Sequence, residues 1–526
     1  MYWPTGSARR LCVEPAGLPD VHNDAVHMAS TRDGMLWFVL TRTAILLWRA
    51  RPIEIVASVI RTQRSLHEYG ANVHAVWSPD ASGIAIQTER DTLLFYELSQ
   101  PASKPSMHAL FDPSAPELAP SSQALLATFQ PATGDAYHTC TNEPLSARIN
   151  FQLLFRDALQ VDPGIACIAC VDAHLFVSTK SPAAVQLVSW PSSSSSASTS
   201  AASASVSASS AASAPPILLA YLPWLQVPLS SSSSLALTPS PIVHAEHSYA
   251  TDLSAWISAD GSAYIVGRND TWVGACAYRA VDSAHKNVPT TTALNARFSL
   301  LALGFENGHI TLFEFQTATQ TPQFVHSLTL PHITGRVICL DWTADGHALA
   351  VGYEHGWAIW STFGHVMCHS FREDWTTATR TYRDSFQFGV QSVFWGLGGT
   401  ELFVLARPLS PDAHAQDDER TLAYVVPFVK AAATTHMTPA DVNAGFLLGD
   451  ASAYMYRGHE QSDAGLLSPG NDVWRHIPFP AEYLTTQWPI RCTALSPDGR
   501  FLAIAGRRGL AHYSTCLLYT SDAADE

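Results

Sequence analysis

The chain has 526 residues, 47% of them apolar and only 14% charged, so it can bury large cores and is not wholly disordered. Its length calls for more than one compact unit, and no apolar run reaches the roughly 18 residues of a bilayer span. A net charge of −15 speaks against nucleic acid as a general partner, and Arg507 and Arg508 alone are too few for a basic patch.

Helical periodicity is nearly absent, and short apolar runs separated by turn residues dominate. Residues 33–48, DGMLWFVLTRTAILLW, open a repeated module. Residues 77–98, WSPDASGIAIQTERDTLLFYEL, repeat it. Residues 166–179 predict two strands around Asp172. The Ser/Ala tract 191–216 has almost nothing to bury and is expected to loop out as a disordered insertion between Ala184–Trp190 and Ile217–Leu222. Degenerate copies follow at 256–267 around Asp260-Gly261, at 298–315 with a turn at Gly308, and at 393–406 around Gly398-Gly399. Full copies return at 342–361, WTADGHALAVGYEHGWAIWS, and 495–514, LSPDGRFLAIAGRRGLAHYS.

The full copies share one spacing: Asp33/Trp48, Asp80/Phe95, Asp345/Trp360 and Asp498/Tyr513 each lie 15 residues apart. An apolar residue (Trp77, Trp342, Leu495) sits three before the Asp in three of them, where the first copy has Ser30. The chemistry is that of linked hairpins. The apolar residue ends one strand, Pro-Asp or Asp-Gly makes a tight turn, and a small-apolar strand buried on both faces follows. A second turn is expected at Asp91, Gly356 and Gly509, and an aromatic strand closes the unit. Such units make propeller blades. The fold class is therefore all-β, a WD-repeat-like β-propeller. Roughly eight or nine modules exceed the usual seven, so one complete propeller and the beginning of a second are expected. The first unit is placed at 1–406 and the incomplete second at 421–514.

No motif carries covalent chemistry. There is no P-loop, no HExxH and no GxSxG, so no catalytic residue, cofactor site or metal site is assigned. Cys167-x-x-Cys170 stands alone, and in a strand its side chains point to opposite faces, so buried strand cysteines are expected. His74, His309 and His347 fall in module strands or turns as structural histidines. Asp80, Asp345 and Asp498 cap turns, and Trp48, Phe95, Trp360 and Tyr513 pack the core. Residues 1–30 lack a secretory signal, and the odd count of nine scattered cysteines fits a reducing, cytoplasmic setting.

Residues 488–514 are more specific. Trp488-Pro489-Ile490-Arg491, then Gly506, Gly509, His512 and Tyr513 in the IAxxGxxGxAHYS strand pair, resemble the ribosome-control protein family of the Ric-one type. The opening Met1-Tyr2-Trp3, Arg9-Arg10-Leu11, Arg51-Pro52, Tyr69-Gly70 to Tyr96, and GWAIWSTFG at 356–364 agree with it in order. The resemblance implies the large propeller subunit of a two-protein guanine-nucleotide exchange complex for a Golgi Rab GTPase of the Rab-six class. It implies an arrestin-like partner subunit, peripheral attachment to the Golgi membrane through partners, and a role in endosome-to-Golgi retrograde transport. It also implies a long helical region beyond the propellers, absent from this N-terminal fragment. The tail 515–526 does not resemble the family and is set outside the fold as a truncated or read-through reading frame. The alternative is a propeller adaptor, or a coat or tether subunit, without exchange activity.

Overall fold

The computed structural model describes residues 2, 4, 8–11, 25–50, 53–99, 136–138, 151–191, 215–225, 240–268, 271–280, 287–371, 389–407, 422–428, 446–449, 451–456, 474–495, 501–514 and 520–522. Most of the Ser/Ala tract, Met1, Trp3, Arg51-Pro52 and Asp498 lie outside these residues.

Among them, seven antiparallel sheets form a closed ring and two more follow. Blade 1 is Ala25–Ser30, Leu36–Thr41, Ala44–Arg49 and Glu54–Ile60, with Ala136–His138 at its edge. Blade 2 is Asn72–Trp77, Gly83–Thr88, Thr92–Ser99 and Gln152–Gln160. Blade 3 is Ile165–Val171, His174–Thr179, Ala184–Ser189 and Ile217–Leu218. Blades 4, 5 and 6 begin at Ile242–Ser248, Pro289–Asn295 and Val337–Trp342. Blade 7 is Gly389–Trp395, Glu401–Arg407 and Leu422–Pro427, completed by Arg9–Leu11 from the start of the chain.

The first strand of each blade neighbours the first strand of the next, and that of blade 7 returns to blade 1. Each inter-blade seam is an apolar cluster. Phe38 and Ile45 of blade 1 meet Ile84 and Ile86 of blade 2. Leu349, Val351 and Trp360 of blade 6 meet Ala302 and Leu312 of blade 5. Trp37 and Trp48 stack at 4.9 Å and pack on Phe403, Leu405 and Leu11 of the closing blade. A fully buried side chain of this kind stabilises by about 1.5–3 kcal/mol.

The turns explain the repeat. Asp33, Asp80, Asp260 and Asp345 each accept the backbone N–H of the residue two positions on and the hydroxyl of a Ser or Thr two positions before. This is turn capping, as the sequence indicated, and the paired aromatics Trp48, Phe95, Trp360 and Tyr513 are all buried. Asp91, Asp172 and Gly308 turn with positive φ. Gly356 does not: the turn falls at Glu354-His355, and Gly356 pairs with Tyr353 as the first residue of the strand Gly356–Ser361, where a Cβ would meet Ser370 Oγ at 2.6 Å.

Three further expectations are corrected. Leu422–Pro427, placed in the second unit, pairs along Glu401–Arg407 and with Arg9–Leu11, so it belongs to the sheet that closes the first ring. Ile217–Leu222 is strand only at Ile217–Leu218, then turns through 3-10 helix. The tail set outside the fold contributes Thr520–Asp522, which pairs with Ala511–Tyr513.

Beyond the ring, Phe446–Leu448, Ser452–Tyr456 and Trp474–Pro478 form one sheet, and Cys492–Leu495, Phe501–Ala505, Leu510–Ser514 and Thr520–Asp522 another. Met455, Ile477, Phe479, Leu502, Ile504 and Tyr513 make their shared core. Trp474 and Tyr456 pack on Leu397 of blade 7. That contact needs Gly398, whose Cβ would fall 2.4 Å from the Trp474 ring.

Candidate functional site at the ring axis and the terminal hairpin

All seven first strands carry a register shift near their start, just after the first residue in six of them, as at Ala25/His27, Asn72/His74, Ile242/His244 and Val337/Cys339, and after the second, Val390, in blade 7. A bulge re-aims the side chains that follow. Here it brings His27, His74, His244, Glu246 and Asp341 to the axis. Charges reach across it: His244 of blade 4 acts on His74 of blade 2, and Asp341 of blade 6 on Glu246 of blade 4. Non-adjacent blades meet only across the axis.

The His27 and His74 rings lie 4.1 Å apart. Burial lowers the proton affinity of both, helped at His27 by His74 and at His74 by His244; His74 falls to about 4. Burial also lowers His244 to about 4. The carboxylic acids move the other way. Burial raises Asp341 to about 7 and Glu246 to about 8, against the opposing pull of backbone N–H donors.

Perturbed groups in a cleft suggest chemistry, but the hydrogen bonds give these acids another task. Asp341 Oδ2 accepts from the Trp395 N–H at 2.6 Å, from blade 6 to blade 7. Glu246 accepts from the Leu294 N–H and the Thr292 hydroxyl, both at 3.3 Å, from blade 4 to blade 5. Two indoles make the matching link. Trp77 Nε1 donates to Ala29 O at 3.2 Å, and Trp342 Nε1 to Ala293 O at 3.3 Å, each reaching the preceding blade. Trp77 and Trp342 are the residues that precede the module Asp, so the repeat encodes an inter-blade staple. His74 lies at the axis, whereas His347 packs against Phe298 in the turn between the first two strands of blade 6. Cys167 lies in the seam of blades 3 and 4, and burial pushes its thiol up to about 12 and that of Cys170 to about 11, so neither is an activated nucleophile.

The terminal motif residues come together at one hairpin. Ile490 packs on the core of the last two sheets, Tyr513 is buried, and the Arg491 N–H donates to Ala505 O at 2.8 Å. The Gly506 N–H donates to Gly509 O and to the Tyr483 hydroxyl. His512 stacks on Phe501, and Trp488 stands out 59% exposed. Sequence reasoning missed the clasp that holds this turn, the helix Ala481–Gln487. Gln487 O accepts from Arg507 N at 2.7 Å, and Gln487 Oε1 from Arg508 N at 2.8 Å. A seven-residue helix offers too few turns for periodicity to announce it; the only signal was the glycine pair, which marks a close approach.

The sheets define a β-propeller protein of the WD-repeat type. Residues 449–517 match the family model described as the RIC1 second beta propeller domain, running past Ser514 into the tail. The chain is similar to the guanine nucleotide exchange factor subunit ric1 of Schizosaccharomyces pombe, 21% identical over 98% of this chain and 50% of the relative. It is similar to RIC1, named as the same kind of subunit, of Mus musculus and Homo sapiens, each 23% identical over 98% of this chain and 37% and 36% of the relatives. The chain thus spans half or less of the length of these relatives. Among solved structures, the β-propeller domain of Myceliophteria thermophila Cps50 (Swd1) aligns with 77% of this chain and 96% of its own at TM-score 0.45 and 8% identity.

Proposed function

We propose that the chain is the propeller region of a subunit of a guanine-nucleotide exchange complex, and that it works as a binding scaffold rather than by covalent chemistry. The observation that carries this reading is similarity across 98% of the chain to proteins named as such subunits. In the finer reading, the client is a Golgi Rab GTPase of the Rab-six class and the co-subunit is arrestin-like. The complex sits peripherally on the cytoplasmic face of the Golgi and serves endosome-to-Golgi retrograde transport. We place the division between the two propeller units after Phe428.

Exchange needs no nucleophile. It needs an interface that offsets the nucleotide's own contacts, about 16 kcal/mol for a nucleotide held at picomolar affinity, by displacing switch loops and the magnesium. A rigid ring offers such a surface, since its blades are stapled at the axis and its turns are free to vary.

The test is release of a fluorescent nucleotide from the purified Rab by this chain, by the arrestin-like partner, and by the pair. Acceleration by the pair above either component supports the reading. Full activity from the partner with no propeller subunit present refutes it. Recovery of coat or tether subunits instead of a Rab from cytosol favours the adaptor alternative.

A further inference from the structure

We propose that Asp172, His247 and Asp252 form a binding site for a single divalent transition-metal ion, best suited to Zn²⁺, at one mouth of the ring. The three lie far apart in sequence and meet only because two turns of adjacent blades come side by side. Asp172 turns between the first two strands of blade 3, and Asp252 does the same in blade 4. His247 lies near the end of the first strand of blade 4.

One ligand atom from each lies within 4.8 Å of the others, the only such trio among the described residues. His247 Nε2 stands 3.5 Å from Asp172 Oδ1, too long for a good hydrogen bond. It is close to the edge of a tetrahedron whose ligands sit about 2.0–2.1 Å from zinc, which is about 3.4 Å. The Asp252 and Asp172 carboxyls, one from each turn, converge on the histidine within that same 4.8 Å.

The ligands are held from behind. His247 Nδ1 bonds to the buried Ser254 hydroxyl at 3.0 Å, which leaves Nε2 as the ring atom facing the carboxylates. Arg268 Nη1 donates to Asp172 Oδ2 at 3.3 Å, so Oδ1 is the oxygen turned to the histidine. Outer partners of this kind orient metal ligands. The His247 side chain is only 3% exposed whereas Asp252 is open to solvent, giving a fixed base and an entry path. One nitrogen and two carboxylate oxygens suit zinc better than the all-oxygen shells of calcium or magnesium. Three protein ligands leave a fourth position for water or for a donor from a bound partner.

The experiment strips the full chain with a chelator, then titrates Zn²⁺ by calorimetry and Co²⁺ by visible absorption. The expected result is one saturable equivalent with a four- or five-coordinate cobalt spectrum. Binding should weaken at least tenfold in Asp252→Asn and in His247→Gln, and stay unchanged when Cys167 and Cys170 are both replaced by serine. Melting in chelator checks that each variant folds; Asp252 is an exposed turn residue, so Asp252→Asn decides if His247→Gln does not fold. Absence of a saturable equivalent, wild-type affinity in Asp252→Asn, or loss of binding in the cysteine variant overturns the assignment.

Discussion

The Tyr2 hydroxyl donates a 2.5 Å hydrogen bond to Asp345 Oδ2, tying the start of the chain to the module turn of blade 6. The same ring packs on Trp395 of blade 7 at 5.4 Å. Tyr2 thus anchors the chain just before Arg9–Leu11 completes blade 7. Tyr2→Phe removes a bond to a charged acceptor and is expected to cost about 1.5–3 kcal/mol. Tyr2→Ala also empties a core position and should cost about 3–5 kcal/mol. Urea unfolding of the two variants measures both, and a Tyr2→Phe chain as stable as wild type would show that the hydroxyl contributes nothing.

Trp342→Phe tests the axial staple. It keeps the aromatic volume and deletes the indole donor that reaches Ala293 O, so about 0.5–1.5 kcal/mol should be lost. Trp360→Ala, at a position 4% exposed in the seam of blades 5 and 6, should cost about 3–5 kcal/mol. A Trp360→Ala chain as stable as wild type would contradict the seam.

The axial groups set a pH dependence. Folded, Asp341 and Glu246 keep their protons to about 7 and about 8, against ordinary values of 3.8 and 4.5. Their contribution is complete below the unfolded values and is lost as pH rises through 7 to 8. His74 and His244 work in the opposite sense, with folded values of about 4 against 6.5, so their contribution is complete above 6.5 and lost as pH falls toward 4. Thermal unfolding should therefore show Tm falling from about pH 7.5 to 8.5, where the unfolded-state histidines are already neutral and the acids are still losing their protons. Asp341→Asn with Glu246→Gln should flatten that limb. A wild-type Tm that does not fall over this interval contradicts the burial of these acids.

Gly506→Ala probes the terminal hairpin. Its Cβ would lie 2.2 Å from Gln487 O, so backbone must move. Overpacking of this kind costs about 1–3 kcal/mol. Hydrogen exchange should accelerate in Phe501–Ala505 and Leu510–Ser514 while the seven-bladed ring is unaffected. Unchanged exchange there would mean that the clasp is not formed.

The sequence made the hairpins legible because each is local. An Asp turn, a small-apolar strand and a closing aromatic lie within one short window, and the turns at Asp33, Asp80, Asp260 and Asp345 are capped as their residue types require. The site was less legible. Glu246 and Asp341 look like ordinary polar residues until the bulged strands turn them to the axis. Asp172 and His247 are brought together by blade order, which no local pattern carries. Arg9–Leu11 is a three-residue strand whose partner, Leu422–Pro427, lies at the far end of the ring. That distance leaves the closing strand without any local mark of the sheet it joins. Gln487 acts through its backbone carbonyl as much as its side chain, which residue identity does not reveal.

Ring closure turns seven blades into one scaffold, and hydrogen exchange reads it directly. Arg9, Arg10 and Leu11 pair with Val425, Tyr424 and Ala423. Amides of residues 422–426 should exchange slowly in the full chain. With residues 1–11 removed, they should exchange at least tenfold faster, and Tm should fall. Equal protection of this strand with and without the first eleven residues would contradict closure by the start of the chain.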